Sequence, residues 1–149
     1  MRAYFAYGSD LWRQQMNERC PGHRVLGMGI LTGYRWIINI RGHATLVQSV
    51  HDLVFGVIYG IPESGEERLD QCSGVQAGHY RKVTLPVMTG RGDLRCLVYL
   101  DPLEQEGEPE EEYAGRIRNG IRDAKLPPMY VDRYLEKVTS WSGSWAACG

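Results

Sequence analysis

Apolar and polar positions along the chain alternate in short strand-like runs first and fall into helical spacing last. Residues 3–7 are aromatic and apolar and break at Gly8-Ser9. A helix is expected over residues 11–19, with Ser9 or Asp10 suited to cap it and Pro21-Gly22 to end it. Four strand-like runs follow, at residues 24–31, 34–40, 44–49 and 53–61, rich in β-branched and aromatic side chains and separated by glycine-rich breaks. Such runs predict an antiparallel or mixed sheet curling toward a barrel. Ser64 and Glu67 have the spacing of a capping box, so a short helix is expected from there to about Cys72, with Gly74 as its stop. Residues 80–88 and 94–100 read as two more strands. Tyr113, Ile117 and Ile121 recur at helical spacing, Lys125-Leu126-Pro127-Pro128 breaks that helix, and Val131, Tyr134, Leu135 and Val138 mark another. Strands with one early helix, a helix between strands and helices last imply an α+β class with one sheet or small barrel at its centre. Residues 1–139 are read as one domain and residues 140–149 as a C-terminal tail.

Composition narrows the function classes. A chain of 149 residues can bury a sizeable core. Its formal charge of −1 gives no drive toward nucleic acid or an anionic membrane. Trp12, Trp36, Trp141 and Trp145 are spaced too irregularly for a base-stacking platform. No apolar stretch has the length of a membrane span. The opening MRAYFAYG lacks the order of a signal peptide, and Cys20, Cys72, Cys96 and Cys148 are scattered without CxxC spacing. A cytoplasmic protein with reduced thiols is the expectation. His23, His43, His51 and His79 show no metal-ligand spacing, and the position of His43 beside Gly42 is explained by a loop near the barrel mouth.

Candidate chemistry starts at Tyr7-Gly8-Ser9-Asp10-Leu11. A glycine turn before a helix can aim successive N–H groups into one concavity that suits a carboxylate or phosphate. On its own such a turn is more often a plain cap. The chain, however, reads YFAYGSDL, then GHATLVQS, then LVFGVIYG, LDQCSGVQAGHY and NGIRDAKLPPMY, in that order. This series resembles the γ-glutamylcyclotransferase-like (AIG2-like) family, over residues 2 to about 138. The resemblance implies a small mixed-strand β-barrel with flanking helices. It also implies an enzyme that cyclises a γ-glutamyl amide to 5-oxoproline and releases an amine or amino acid, without metal or organic cofactor. The partner it implies is a small γ-glutamyl amine or peptide. Tyr7, Gly8, Ser9, Asp10 and Leu11 would grip the glutamyl end, and Tyr80 would help orient it.

In that reaction the substrate's own α-amine attacks its γ-carbonyl. The protein must fold the chain back, take a proton from the ammonium and return one to the leaving amine. The family does this with a glutamate in an LDxxEGV segment; here Leu69-Asp70-Gln71-Cys72-Ser73-Gly74-Val75 puts Ser73 at that position. A hydroxyl is no base near neutral pH without an activating partner. Loss of a general acid–base group costs about a hundredfold to ten-thousandfold in rate. Three readings stay open. The carboxylate has moved, with Asp10 the first candidate, although a helix N-cap also explains Asp10; Asp70 could contribute but is expected to point elsewhere, and Glu66 and Glu67 read as first-turn charges that complement the helix dipole. Ser73 is a disabling substitution. Or the chain binds a γ-glutamyl-like ligand without turning it over. An amide hydrolase using Asp10 to activate water is a further alternative. Cys72 with His79 would make a thiol mechanism, but a small buried apolar role explains Cys72 as well. Tyr130 matches a late family tyrosine for which packing on the barrel is an equal explanation. Arg13, Arg35, Arg41 and Arg81 are unranked as cations for an acidic substrate.

Overall fold

The computed structural model describes residues 1–140. Its strands are β1 (Arg2–Ala6), β2 (Arg24–Ile38), β3 (Ala44–Ile61), β4 (Arg81–Thr89) and β5 (Gly92–Leu100). Its helices are α1 (Arg13–Arg19), α2 (Glu63–Cys72), α3 (Glu111–Ala124), α4 (Pro128–Tyr134) and α5 (Glu136–Thr139), with a 3₁₀ turn at Ser9–Leu11. The five strands close in the order β1-β3-β2-β4-β5. Neighbours pair antiparallel except for β1 with β5, which meet in parallel at Tyr4 and Leu97. That one parallel contact makes the barrel mixed, as the resemblance implied. The expected tail, residues 140–149, lies outside the described residues except for Ser140.

Two breaks expected from sequence are absent. Residues 24–31 and 34–38 belong to one strand that ends at Ile38, short of the expected residue 40, and 44–49 and 53–61 likewise form one strand. The glycine that suggested a gap, Gly33, has φ +85° and sits at a register shift between Thr32 and Tyr34. A glycine there bulges and bends a long strand without ending it. Such bends let two strands of 15 and 18 residues wrap far around a small barrel.

Helix starts differ as well. α2 begins at Glu63 with Pro62 in the cap position and no side-chain cap, so Ser64 stands inside the first turn and the capping box does not form. Glu66 accepts instead from Arg2 and Lys82 on the barrel wall. At the other end of the fold, α3 stops at Lys125, whose φ of +53° is left-handed, and Pro128 opens α4 where its missing N–H costs nothing. Tyr130 packs its ring against Phe55 and Tyr134 and serves the core.

Candidate active site

At the C-terminal end of β1 the chain passes through Tyr7 and Gly8 into the 3₁₀ turn, and the carbonyls of Tyr7 through Asp10 are all occupied. Tyr7 O accepts from the Trp36 indole N–H at 2.9 Å, and Asp10 O from the Tyr59 hydroxyl at 2.8 Å. Gly8 O and Ser9 O accept from the N–H groups of Leu11 and Trp12. A peptide's carbonyl and the next N–H point in opposite directions, so anchoring the carbonyls in protein turns the N–H groups of Gly8, Ser9 and Asp10 the other way. Tyr7, Gly8, Ser9 and Asp10 all line one cavity of about 200 Å³. Leu11 does not join them. Its side chain is fully buried in the core and its N–H donates to Gly8 O, so it does not line the cavity with the rest of the expected stretch.

Neither Ser9 nor Asp10 caps a helix through its side chain. Asp10 is a cavity residue held by three donors. Tyr4 donates its hydroxyl to Oδ2 at 2.6 Å, while Gln15 and Arg19 donate to Oδ1 at 2.8 and 3.2 Å. Gln15, buried on α1, also donates to the Ser9 hydroxyl at 2.7 Å. Arg19 lines the cavity too, so a charged pair of opposite signs faces the ligand space.

Ser73, the cap residue that follows α2, lines the same cavity beside the exposed Cys72. Asp70, one turn earlier, does not line it. Its carboxylate instead accepts from Lys82 and, at 2.6 Å, from the hydroxyl of the cavity residue Tyr99. Tyr80 completes the wall just before β4, donating its hydroxyl to Ala44 O at 3.0 Å. Ser73, Tyr80 and the Tyr7–Asp10 stretch, separated by some sixty residues of sequence, therefore surround one space.

Three tyrosines of the remaining wall were not singled out from sequence, whereas His43 was read as a loop residue near the barrel mouth. Tyr4, Tyr99 and Tyr113 line the cavity, and so does His43. Burial raises the tyrosine pKa values, that of Tyr113 to about 12, those of Tyr80 and Tyr99 further, and those of Tyr4 and Tyr7 well above the ordinary phenol value. These phenols stay protonated at ordinary pH and act as neutral hydrogen-bond groups, not bases. His23, whose Nδ1 lies 2.8 Å from Cys20 O, is spent on structure. Arg41 is paired with the buried Asp101, its Nε at 3.1 Å from Oδ2.

Residues 53–134 match the AIG2-like family. The chain belongs to that family. Among similar proteins are the mouse (Mus musculus) and human (Homo sapiens) proteins named γ-glutamylcyclotransferase. Each is 28% identical over 141 residues, covering 87% of this chain and 75% of the relative. A solved structure named γ-glutamyl cyclotransferase superposes with a TM-score of 0.81 at 28% identity, covering 89% of this chain and 85% of that one. The AIG2-like chain is thus γ-glutamylcyclotransferase-like in sequence and in its barrel. No helix among its described residues is long and apolar enough to cross a membrane.

Proposed function

We propose that this protein binds a γ-glutamyl amide in the barrel cavity and cyclises it to 5-oxoproline, releasing an amine or amino acid. The observation that carries this reading is the convergence of the anchored Tyr7–Asp10 stretch, the Arg19–Asp10 pair and Tyr80 on one small space. A γ-glutamyl group ends in an α-carboxylate and an α-ammonium. The N–H groups of Gly8, Ser9 and Asp10 with the Arg19 guanidinium suit the first, and the Asp10 carboxylate suits the second. Gripping that end and leaving a short chain to fold back brings amine and γ-carbonyl together, the main catalytic need of a reaction whose nucleophile is in the substrate.

Ser73 supplies no base to this cavity, and Asp10 has both oxygens engaged. Those two facts favour a second reading, saturable binding without turnover. Incubation with γ-glutamyl dipeptides and γ-glutamyl amines, followed by mass spectrometry for 5-oxoproline, separates the two. Cyclisation yields 5-oxoproline and the free amine in equal amounts. Binding without turnover leaves the substrate intact while calorimetry still detects a saturable complex.

A further inference from the structure

We infer that His43, with Asp101 behind its Nδ1, is the acid–base group of this cavity and does the proton transfers that Ser73 cannot. The inference rests on the cyclisation reading and names the residue that would carry it.

His43 sits in the turn between β2 and β3, and that turn is built to present it. Asn39, fully buried, accepts at its side-chain oxygen from the N–H groups of Arg41 and His43 at 3.0 and 3.2 Å. Its own backbone N–H donates to His43 O at 2.9 Å, and its carbonyl accepts from Gly42. Gly42 has φ +82°, which an L side chain resists, and its α-carbon faces Glu108 O so closely that a Cβ would lie 3.1 Å from it. The next residue, Ala44, is clamped at both backbone groups by cavity tyrosines. Its N–H donates to the Tyr113 hydroxyl at 2.9 Å, and its carbonyl accepts from Tyr80. The rings of the same two tyrosines flank the imidazole, with centroids at 5.7 Å for Tyr113 and 6.1 Å for Tyr80. A loop histidine of no function needs none of this support.

The imidazole has two differently placed nitrogens. Nδ1 is buried, has no hydrogen-bond partner, and stands 3.8 Å from Oδ2 of Asp101. Asp101 is itself fixed. Arg41 donates to both of its oxygens, the Leu103 N–H donates to Oδ1 at 3.0 Å, and its backbone is tied to Thr45. The 3.8 Å gap is longer than a hydrogen bond, as such contacts commonly are before a ligand closes the site. With Nδ1 carrying a proton toward Asp101, Nε2 is left as the basic nitrogen. Although Nδ1 is buried, the His43 side chain is 41% exposed and lines the same cavity as the turn that would grip the glutamyl end. Among the cavity's other groups, the exposed thiol of Cys72 apart, the tyrosines are held protonated, Arg19 has no basic form, and Asp10 is engaged on both oxygens.

The proposed step balances without a cofactor. Nε2 of neutral His43 takes a proton from the substrate α-ammonium, and the freed amine forms the C–N bond to the γ-carbonyl carbon. Imidazolium returns the proton to the leaving nitrogen, the tetrahedral oxyanion collapses and the bond to that amine breaks. The nitrogen of the newly closed ring, still carrying two protons, gives one to Nε2, which passes it to the departing amine to release it as an ammonium. His43 is catalytic in this scheme. Asp101 is a positioning residue acting through it.

The test compares the protein as it stands with His43→Gln, Ser73→Glu, the double variant Ser73→Glu/His43→Gln, and Asp101→Asn, each assayed for 5-oxoproline from γ-glutamyl dipeptides. The unaltered protein is expected to turn over. His43→Gln is expected to lose about a hundredfold to ten-thousandfold in kcat, with KM little changed. The double variant is expected to recover turnover through the carboxylate at position 73, which shows that the cavity survived the loss of His43. For Asp101→Asn a fall of about 10–100-fold, the usual worth of a partner that orients a functional histidine, is expected in kcat and not in KM. Two results overturn the assignment while sparing the cyclisation reading. One is an unaltered protein that is silent while Ser73→Glu is active; the other is His43→Gln turning over within a fewfold of the unaltered protein. If no form, Ser73→Glu included, makes 5-oxoproline, the cyclisation reading falls and the assignment with it.

Discussion

A carboxylate serves as a base only when an oxygen is free to meet the proton. At Asp10 the hydroxyl of Tyr4, the amide of Gln15 and the guanidinium of Arg19 already hold both oxygens. Its chemistry is that of a fixed negative charge, suited to an ammonium that must be held in place. Asp10→Asn is therefore expected to raise KM on the order of tenfold, from about 1.5 kcal/mol for a hydrogen bond to a charged group, and to change kcat less. Steady-state kinetics checks this; a collapse of kcat at unchanged KM would move the base from His43 to Asp10. Asp101 carries a second expectation. Burial works against its charge, but Arg41, the Leu103 N–H and Asn39 outweigh burial and hold its pKa below the ordinary carboxylate value. A carboxylate depressed in the fold contributes stability that is present above its unfolded pKa of about 3.9 and lost as pH falls through the lower folded value. Denaturant unfolding is expected to show stability falling below about pH 4, less steeply in Asp101→Asn. At this scale the sequence told half the story. Ser73, Tyr80 and the Tyr7–Asp10 stretch were legible because they sit in a recognisable order of motifs. His43 was readable only as a loop residue near the barrel mouth, because nothing in a Gly-His-Ala turn reveals that Asp101, just past the end of β5, lies behind it.

The elements explain how so short a turn can hold a ligand-binding shape. α3 lies directly on it. A Cβ added at Gly120 would stand 2.5 Å from the Leu11 side chain and 2.8 Å from the Trp12 nitrogen. Helix and turn are in contact that only glycine permits. Gly120→Ala is expected to cost about 1–3 kcal/mol, as overpacking typically does, and to raise KM by shifting the turn's N–H groups. Thermal unfolding and kinetics read the two effects separately, and a variant with unchanged stability would show that the contact is slack. The helical spacing of Tyr113, Ile117 and Ile121 foretold α3, yet its partner was hidden, since spacing gives a face and not what covers it. The strand runs were readable as strands by composition, but their joins were not. Gly33 signals a break by its type and makes a bulge in its context, and only the barrel's closure distinguishes these.

Across the whole molecule the barrel gathers residues from β1, the β2–β3 turn, the end of α2 and the start of β4 around one end. The parallel contact of β1 with β5 closes it and brings Tyr4 and Tyr99 into edge-to-face contact in the cavity wall. Such a cavity, rich in neutral hydroxyls and fixed N–H groups, suits a reaction that keeps its nucleophile inside the substrate. That intramolecular attack is the central claim, and the oxygen source of the product tests it most directly. Turnover of a γ-glutamyl dipeptide in water enriched in ¹⁸O, followed by mass spectrometry, is expected to give 5-oxoproline carrying no solvent oxygen. Free glutamate carrying ¹⁸O would contradict it, because water rather than the substrate's own amine would then have attacked the γ-carbonyl.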